Sequence, residues 1–369
     1  MEILELQKRI NANLMRVNSA KSISEKRRYF VYLGSLLATY NELTGENVQM
    51  WQTNNKAVMK HTHIELLSQE LEKNKNFMQK ISSGMLESKL ESECNFRDRF
   101  VVKTYSPKYL FEVLESFLGV LGNRHYKVYK NIINNNDLVF NKEFAGGLTI
   151  FDYQKLKSVI FTSKDKTTLA SLLTLVHELG HAYEYDYTKY SRKPFYVNKF
   201  NVTTEVFSML NELLMIDYLK KINFDLVEVN KLEEKFYNDI INYAFEIYFA
   251  FSLRYLYFDD DSNLIIYDYN EAIECENELI KKYGHDFYVT NDINLEDSVN
   301  YMYGGLIATI YRHYYNQDHK FMNEISKHFL DYEAYDTKEI INRLPFVNKE
   351  LEEFSILKKK LCQIKTNQF

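Results

Sequence analysis

The chain is poor in the residues that break regular structure, with 3 prolines and 11 glycines among 369 residues. Strand-rich folds use such residues at frequent turns, whereas long helices need few, so the scarcity predicts a mainly α protein. Cysteine is equally sparse. Cys94, Cys275 and Cys362 are odd in number and far apart, which excludes a disulfide framework and a Cys-x-x-Cys metal site and fits a reducing compartment. No run of about eighteen apolar residues occurs, so no membrane span is expected. The N-terminal stretch from Met1 to Arg9 is charged and helix-patterned, without the apolar centre of a secretory signal. An excess of positive charge is also missing: the net charge is −5. Basic residues are scattered apart from short pieces such as Lys26-Arg27-Arg28 and Lys358-Lys359-Lys360. That excludes the electrostatic footprint of a nucleic-acid-binding protein. The expectation is a cytoplasmic protein with neither a nucleic-acid nor a membrane partner.

What the chain does have is apolar content for a core of one large or two modest domains, and 30 tyrosines. Apolar residues recur at three- and four-residue spacing from Tyr29 to Tyr40 and from His63 to Ile81, which predicts long amphipathic helices over residues 1–100. Residues 101–369 form the expected second region. Ser106-Pro107 is a helix start before 108–121, and a further helix runs from about His125 to Asn134. The period then changes. Leu148-Thr149-Ile150-Phe151, led by Gly146-Gly147, and Ser158-Val159-Ile160-Phe161-Thr162 read as the two strands of a hairpin. Its free edge would suit an extended peptide added as a strand, or it serves only to cover the core. Later helices are expected over 202–221, 230–257, 269–282 and 298–315, with two or three more from 319 to 362. Asp259-Asp260-Asp261-Ser262-Asn263 lacks the glycine and the final glutamate of a calcium-binding loop and reads as an acidic surface turn.

Between the hairpin and the 202–221 helix lies Leu-Thr-Leu-Val-His-Glu-Leu-Gly-His-Ala, residues 173–182. Helical positions four apart stack on one face, so His177 and His181 can grip one metal ion, with Glu178 beside them as a general base for a metal-activated water. A catalytic zinc requires one more protein ligand and an open position. No histidine or glycine follows at the three-histidine spacing, which leaves a carboxylate of the next helix. That helix offers Glu205 and Glu212. Glu205, in the expected first turn and flanked by apolar residues, is the expected third ligand, and Glu212 is expected either to accept an imidazole N–H or to make a salt bridge. The tetrahedral oxyanion of peptide hydrolysis requires a second donor besides the metal. Tyr301 and Tyr303, beside Gly304-Gly305, are the candidates.

Together these residues resemble the oligoendopeptidase F branch of the thimet-oligopeptidase-like zinc metallopeptidases. The resemblance rests on His177 to Ala182 and on Thr204-Glu205-Val206-Phe207-Ser208-Met209-Leu210-Asn211-Glu212. It extends to Tyr105-Ser106-Pro107, the glycine-led hairpin, Lys282-Tyr283-Gly284 and Tyr301-Met302-Tyr303-Gly304-Gly305, about residues 100 to 360. It implies a helical zincin-type fold with a small hairpin or sheet beside the active-site helix and a substrate cleft. It also implies one Zn2+ per chain held by His177, His181 and Glu205, with Glu178 as base and Tyr303, or Tyr301 if the register slips, as transition-state donor. The implied activity is hydrolysis of short peptides. Two departures stand out. The family places a histidine several residues ahead of that tyrosine, and 291–300 has none, the nearest upstream being His285. The family also carries a longer N-terminal portion than the hundred residues here, which implies a more open cleft or reliance on a second subunit of a homo-oligomer. A processing peptidase for one peptide, or a zinc-containing protein that binds peptides without turnover, are the alternative functions.

Overall fold

The computed structural model describes residues 3–46, 56–94, 102–142, 146–189, 203–259, 263–284, 293–319, 337–344 and 347–367. The chain divides into two compact units that interleave along the sequence: Met1–Met59 with Val102–Lys199, and Lys60–Val101 with Phe200–Phe369. One crossing therefore lies at 101/102, and another at 59/60 divides the N-terminal hundred residues between the units.

The first unit opens with α1 (Ile3–Ser19) and α2 (Ile23–Thr44). Ser22 caps α2 by accepting the Glu25 N–H, and Gly45 ends it in the left-handed conformation. The two helices bury Leu6, Ile10, Leu33, Leu36, Leu37 and Tyr40 between them, the apolar positions that their spacing singles out. After α4 (Pro107–Leu121) and α5 (Asn123–Asn134) come β1 (Leu138–Lys142), β2 (Gly147–Asp152) and β3 (Lys157–Ser163), followed by α6 (Leu169–Thr188). The strands form one sheet in the order β1-β3-β2. β2 and β3 are the expected antiparallel hairpin, in register at Thr149↔Ile160. β1 was not expected: it pairs in parallel with β3, Val139 opposite Phe161. Its five residues, all half-buried, include a single apolar triplet, Leu138-Val139-Phe140, and follow the polar run 134–137, so no alternation marks it in the sequence. Parallel pairing is a long-range event that local pattern does not reveal. One edge of the hairpin is thus filled by β1, and β2 is the outer strand at the other. Ile150, Val159 and Phe161 form the sheet's own core, with Ala38 and Leu43 of α2 against it. α1 ties down the end of β2, where Arg9 reaches both carboxylate oxygens of Asp152 at 2.7 Å.

The second unit is helical. It comprises most of α3 (Lys56–Ser92), then α7 (Val206–Lys221), α8 (Leu226–Ser252), α9 (Tyr269–Tyr283) and α10 (Leu295–Tyr315). Three short C-terminal helices complete it, α11 (Thr337–Arg343), α12 (Val347–Glu353) and α13 (Ser355–Asn367). α8 stops at Ser252, five residues before the expected end at Tyr257. Residues beyond it instead pair, Phe258 with Leu264 and Asn263 with Asn294, so the acidic turn is pinned at its base by Asp259 accepting two hydrogen bonds of 2.9 Å from Asn263.

α10 packs on α7 and α8, and the glycine pair explains how closely. A Cβ on Gly304 would lie 2.6 Å from the Cβ of Glu205, and one on Gly305 would lie 2.2 Å from Cγ2 of Ile240. The helix axes can approach only because both side chains are missing. Deeper along the same three helices Arg312, fully buried, forms an ion pair with Asp217 and one of 2.6 Å with Glu233, while Lys220 also reaches Glu233. Burial would raise the Asp217 and Glu233 carboxyls, but the Arg312 guanidinium more than offsets it and holds both below the ordinary range. No helix among the described residues is long and apolar enough to cross a membrane.

Candidate metal centre

α6 begins at Thr168, whose hydroxyl accepts the Ser171 N–H. The helix packs across β2 and β3 and is buried nearly all round. Before its last turn, where Tyr185, Asp186 and Tyr187 are all half-exposed, the positions that are not buried fall in one stripe, Ala170, Thr174, His177 and His181, the three- and four-residue spacing that makes one face of a helix. The two imidazoles therefore share that stripe, with their Nε2 atoms 3.2 Å apart. Two nitrogens bound at zinc distance in a tetrahedral arrangement would be separated by about 3.3 Å. The spacing fits two ligands of one zinc ion.

Glu178, one residue on and about 100° round the helix from His177, is buried, with β2 against it. The Thr149 hydroxyl lies 2.6 Å from its Oε2 and 3.0 Å from its backbone oxygen, as a donor to either. Gly147, two residues earlier on the same face of the strand, leaves the space that the carboxylate fills: a Cβ there would meet Cγ and Oε1 at 2.5 Å. Neither residue was singled out from the sequence. The signal was present, since strand residues two apart face the same side. That β2 would turn this side to α6 depends on packing.

The second unit carries Glu205. It is not in the first helical turn, as expected, but is the residue that caps α7, preceded by the turn 203–205. Its carboxylate is buried. The Ser208 hydroxyl serves it from one turn along, 3.0 Å from Oε2 and 2.8 Å from the Glu205 backbone oxygen. Glu212 is half-buried, two turns further along α7.

The two tyrosines of α10 are separated by about 200° around the helix. Tyr303 is fully buried, its ring parallel to Phe77 of α3 at 6.4 Å, and its hydroxyl has no hydrogen-bond partner among the described residues. Burial pushes its phenol far up. Tyr301 is half-buried and stacks on Tyr243 of α8 at 5.4 Å. Asp297, Tyr301 and Gly304 follow one another along one side of α10, and Gly304 is where that helix touches Glu205. Tyr301 thus occupies the Glu205 side of the unit, and Tyr303 faces α3. The surroundings are electronegative: burial, then Glu296 and Glu205, raises the Asp297 carboxyl, and burial with Asp239, Glu246, Asp297 and Glu205 raises the Tyr243 phenol. His285 and the polar stretch 190–202 lie outside the described residues.

No family model matches the sequence, and no curated protein matches it. Solved structures do match in fold. A protein described as an oligoendopeptidase F from Bacillus anthracis str. Ames superposes with a TM-score of 0.50 at 11% identity, over 93% of this chain and 63% of its own. A protein described as a peptidase from Chlamydophila abortus gives 0.54 at 14% identity, over 98% of this chain and 63% of its own. PZ peptidase A, solved with an inhibitor, gives 0.51 at 12% identity, over 99% and 72%. The chain therefore has the helical fold of oligoendopeptidase F-type peptidases and spans about two thirds of their length.

Proposed function

We propose that the protein is a zinc-dependent metalloendopeptidase acting on short peptides. The observation that carries this reading is the 3.2 Å separation of the His177 and His181 Nε2 atoms on the open stripe of α6, with Glu178 beside them. Glu205 of the second unit is the third ligand, giving a donor set of two imidazole nitrogens and one carboxylate oxygen that suits zinc. One ion per chain is expected. Zinc, when bound, supplies Lewis acidity that polarises a peptide carbonyl and lowers the pKa of water toward about 7.

The chain's own residues supply the proton traffic. Glu178 takes a proton from the attacking water and passes it to the departing amine, so that one carboxylate is base and then acid. A tyrosine hydroxyl donates to the developing oxyanion. The side of α10 that meets Glu205 favours Tyr301 for that donor, with Tyr303 second, because the Tyr303 hydroxyl is sealed against α3. Glu212 is an acceptor for an imidazole N–H. The outer strand β2 offers an edge for an extended peptide. The fold likeness to peptidases supports a peptide as substrate, and the sparse cysteines support a cytoplasmic setting.

The test is zinc content together with cleavage of quenched peptides by the wild type and Glu178→Gln. The Gln variant is expected to keep its zinc and lose about 10²–10⁴-fold in kcat; full activity with zinc retained would sink the mechanism. A second reading is favoured by one observation, the missing histidine in 291–300 together with the sealed Tyr303 hydroxyl: a zinc protein that grips peptides without cutting them. Peptides that bind to the zinc-saturated wild type and stay intact would establish it. Profiling a peptide library separates broad cleavage from a single processed peptide.

A further inference from the structure

We infer that Thr149 is the positioning residue for the general base, a role that rests on the peptidase reading and adds to it a residue outside the His-Glu-x-x-His and Glu205 motifs. A glutamate has three rotatable side-chain bonds, and a base that wanders among rotamers spends little time in line with its proton. Glu178 is confined by three features of the same unit. Its Oε2 lies 2.6 Å from the Thr149 hydroxyl. Its Cγ and Oε1 rest where Gly147 lacks a side chain, 2.5 Å from the position that a Cβ would take. The strand presenting both residues is itself anchored, on one side by the ladder to β3 and at its end by the Arg9–Asp152 pair.

The division of labour follows from the donor count. A threonine hydroxyl has one proton, and the carboxylate oxygen at 2.6 Å is a nearer and stronger acceptor than the Glu178 backbone oxygen at 3.0 Å; a carboxylate accepts about four hydrogen bonds, so Thr149 occupies one site on Oε2 and leaves Oε1 for the water whose proton is to be taken. Hydrogen bonds to charged groups are the strong ones, short and directional. A strand alternates its faces, so 147 and 149 both meet the base while Leu148, between them, is exposed on the other side. The pattern Gly-x-Thr therefore does two things at once: the glycine makes room and the threonine holds.

Three variants test this, with Glu178→Gln as the reference for a lost base. Thr149→Val keeps the shape and removes the hydroxyl; kcat is expected to fall about 10-fold or more with KM within about twofold, as expected for losing a hydrogen bond to a charged group. Thr149→Ser is expected to restore most of kcat. Gly147→Ala, with Thr149 intact, is expected to lower kcat by displacing the carboxylate. The readout independent of turnover is the Glu178 side chain in crystal structures: one conformer against β2 in the wild type and Thr149→Ser, and a moved or split carboxylate in Thr149→Val. Wild-type kcat with an unmoved Glu178 in Thr149→Val overturns the inference. So does a raised kcat, which would make the contact a brake. A wild type that holds zinc and cuts nothing overturns the peptidase reading instead, and Thr149 is then decided by the position of the Glu178 carboxylate alone.

Discussion

Each compact unit holds a polar assembly, and the two are built on opposite principles. In the second unit Arg312 is surrounded by its own counter-charges, Asp217 and Glu233, with Lys220 meeting the second oxygen of Glu233 and Asn316 adding a donor to Asp217 Oδ2. Every charge has an answering charge on the neighbouring helix. In the first unit the turn His177-Glu178-His181 has two imidazole nitrogens converging on one point, and a carboxylate held by a neutral hydroxyl. No positive group is paired with Glu178 there among the hydrogen bonds and ion pairs described. The contrast separates polar groups that are buried to specify packing from polar groups arranged around a point that another species can fill. Composition does not distinguish them, as both are acids and bases on helices.

The comparison is broken most severely at Arg312. Replacing it with leucine takes the main counter-charge from buried Glu233 and half-buried Asp217, leaving them Lys220 and Asn316, and a loss of about 3 kcal/mol is expected from urea unfolding. Removing the two acids as well, as Asp217→Leu and Glu233→Leu in the same chain, should recover much of that loss, because the network's cost lies in leaving a charge unpaired.

A second test is pH. His125 of the first unit is buried, stacked on Tyr183 at 3.6 Å, and burial, with the Arg124 charge, drives its pKa down to about 3. The unfolded chain, with an ordinary imidazole near 6.5, takes up a proton that the folded chain refuses. Stability is therefore present in full above pH 6.5 and is lost as pH falls toward 3, amounting to about 2 kcal/mol between pH 7.5 and pH 5. Metal-free His125→Phe should lack that part of the slope in parallel unfolding curves. An unchanged slope would show that the imidazole is not excluded from solvent.

The smallest expected effect sharpens the contrast. Glu178→Gln keeps the shape of the side chain and an acceptor for Thr149, so its stability without metal should change by about 1 kcal/mol or less. A loss as large as that of Arg312→Leu would place Glu178 among the packing charges and remove the distinction between the two assemblies.

The histidine pair of α6 and the hairpin were legible because their signal is local: His177 and His181 are joined by the period of the helix that contains them, and β2 and β3 by alternation within a few residues. Glu205 was legible as a residue type at a separation, but its place as the cap of α7, with Ser208 serving its carboxylate, depends on where the chain turns. β1 escaped because its partner lies 22 residues away and parallel. The choice between Tyr301 and Tyr303 escaped for a similar reason: helical geometry says that they point apart, but not which side meets α7 and which meets Phe77.

Mainly helical structure, two histidines four apart on one helix with a glutamate between them, and a glycine pair marking a close approach on a late helix were all readable in the chain. Those properties follow from short-range periodicity and side-chain volume. Packing alone sets β2 against Glu178, joins Thr149 and Gly147 around its carboxylate, and brings Arg312 to two acids from other helices. Those contacts join residues from 29 to 95 positions apart, a distance over which packing, and not local pattern, selects the neighbour.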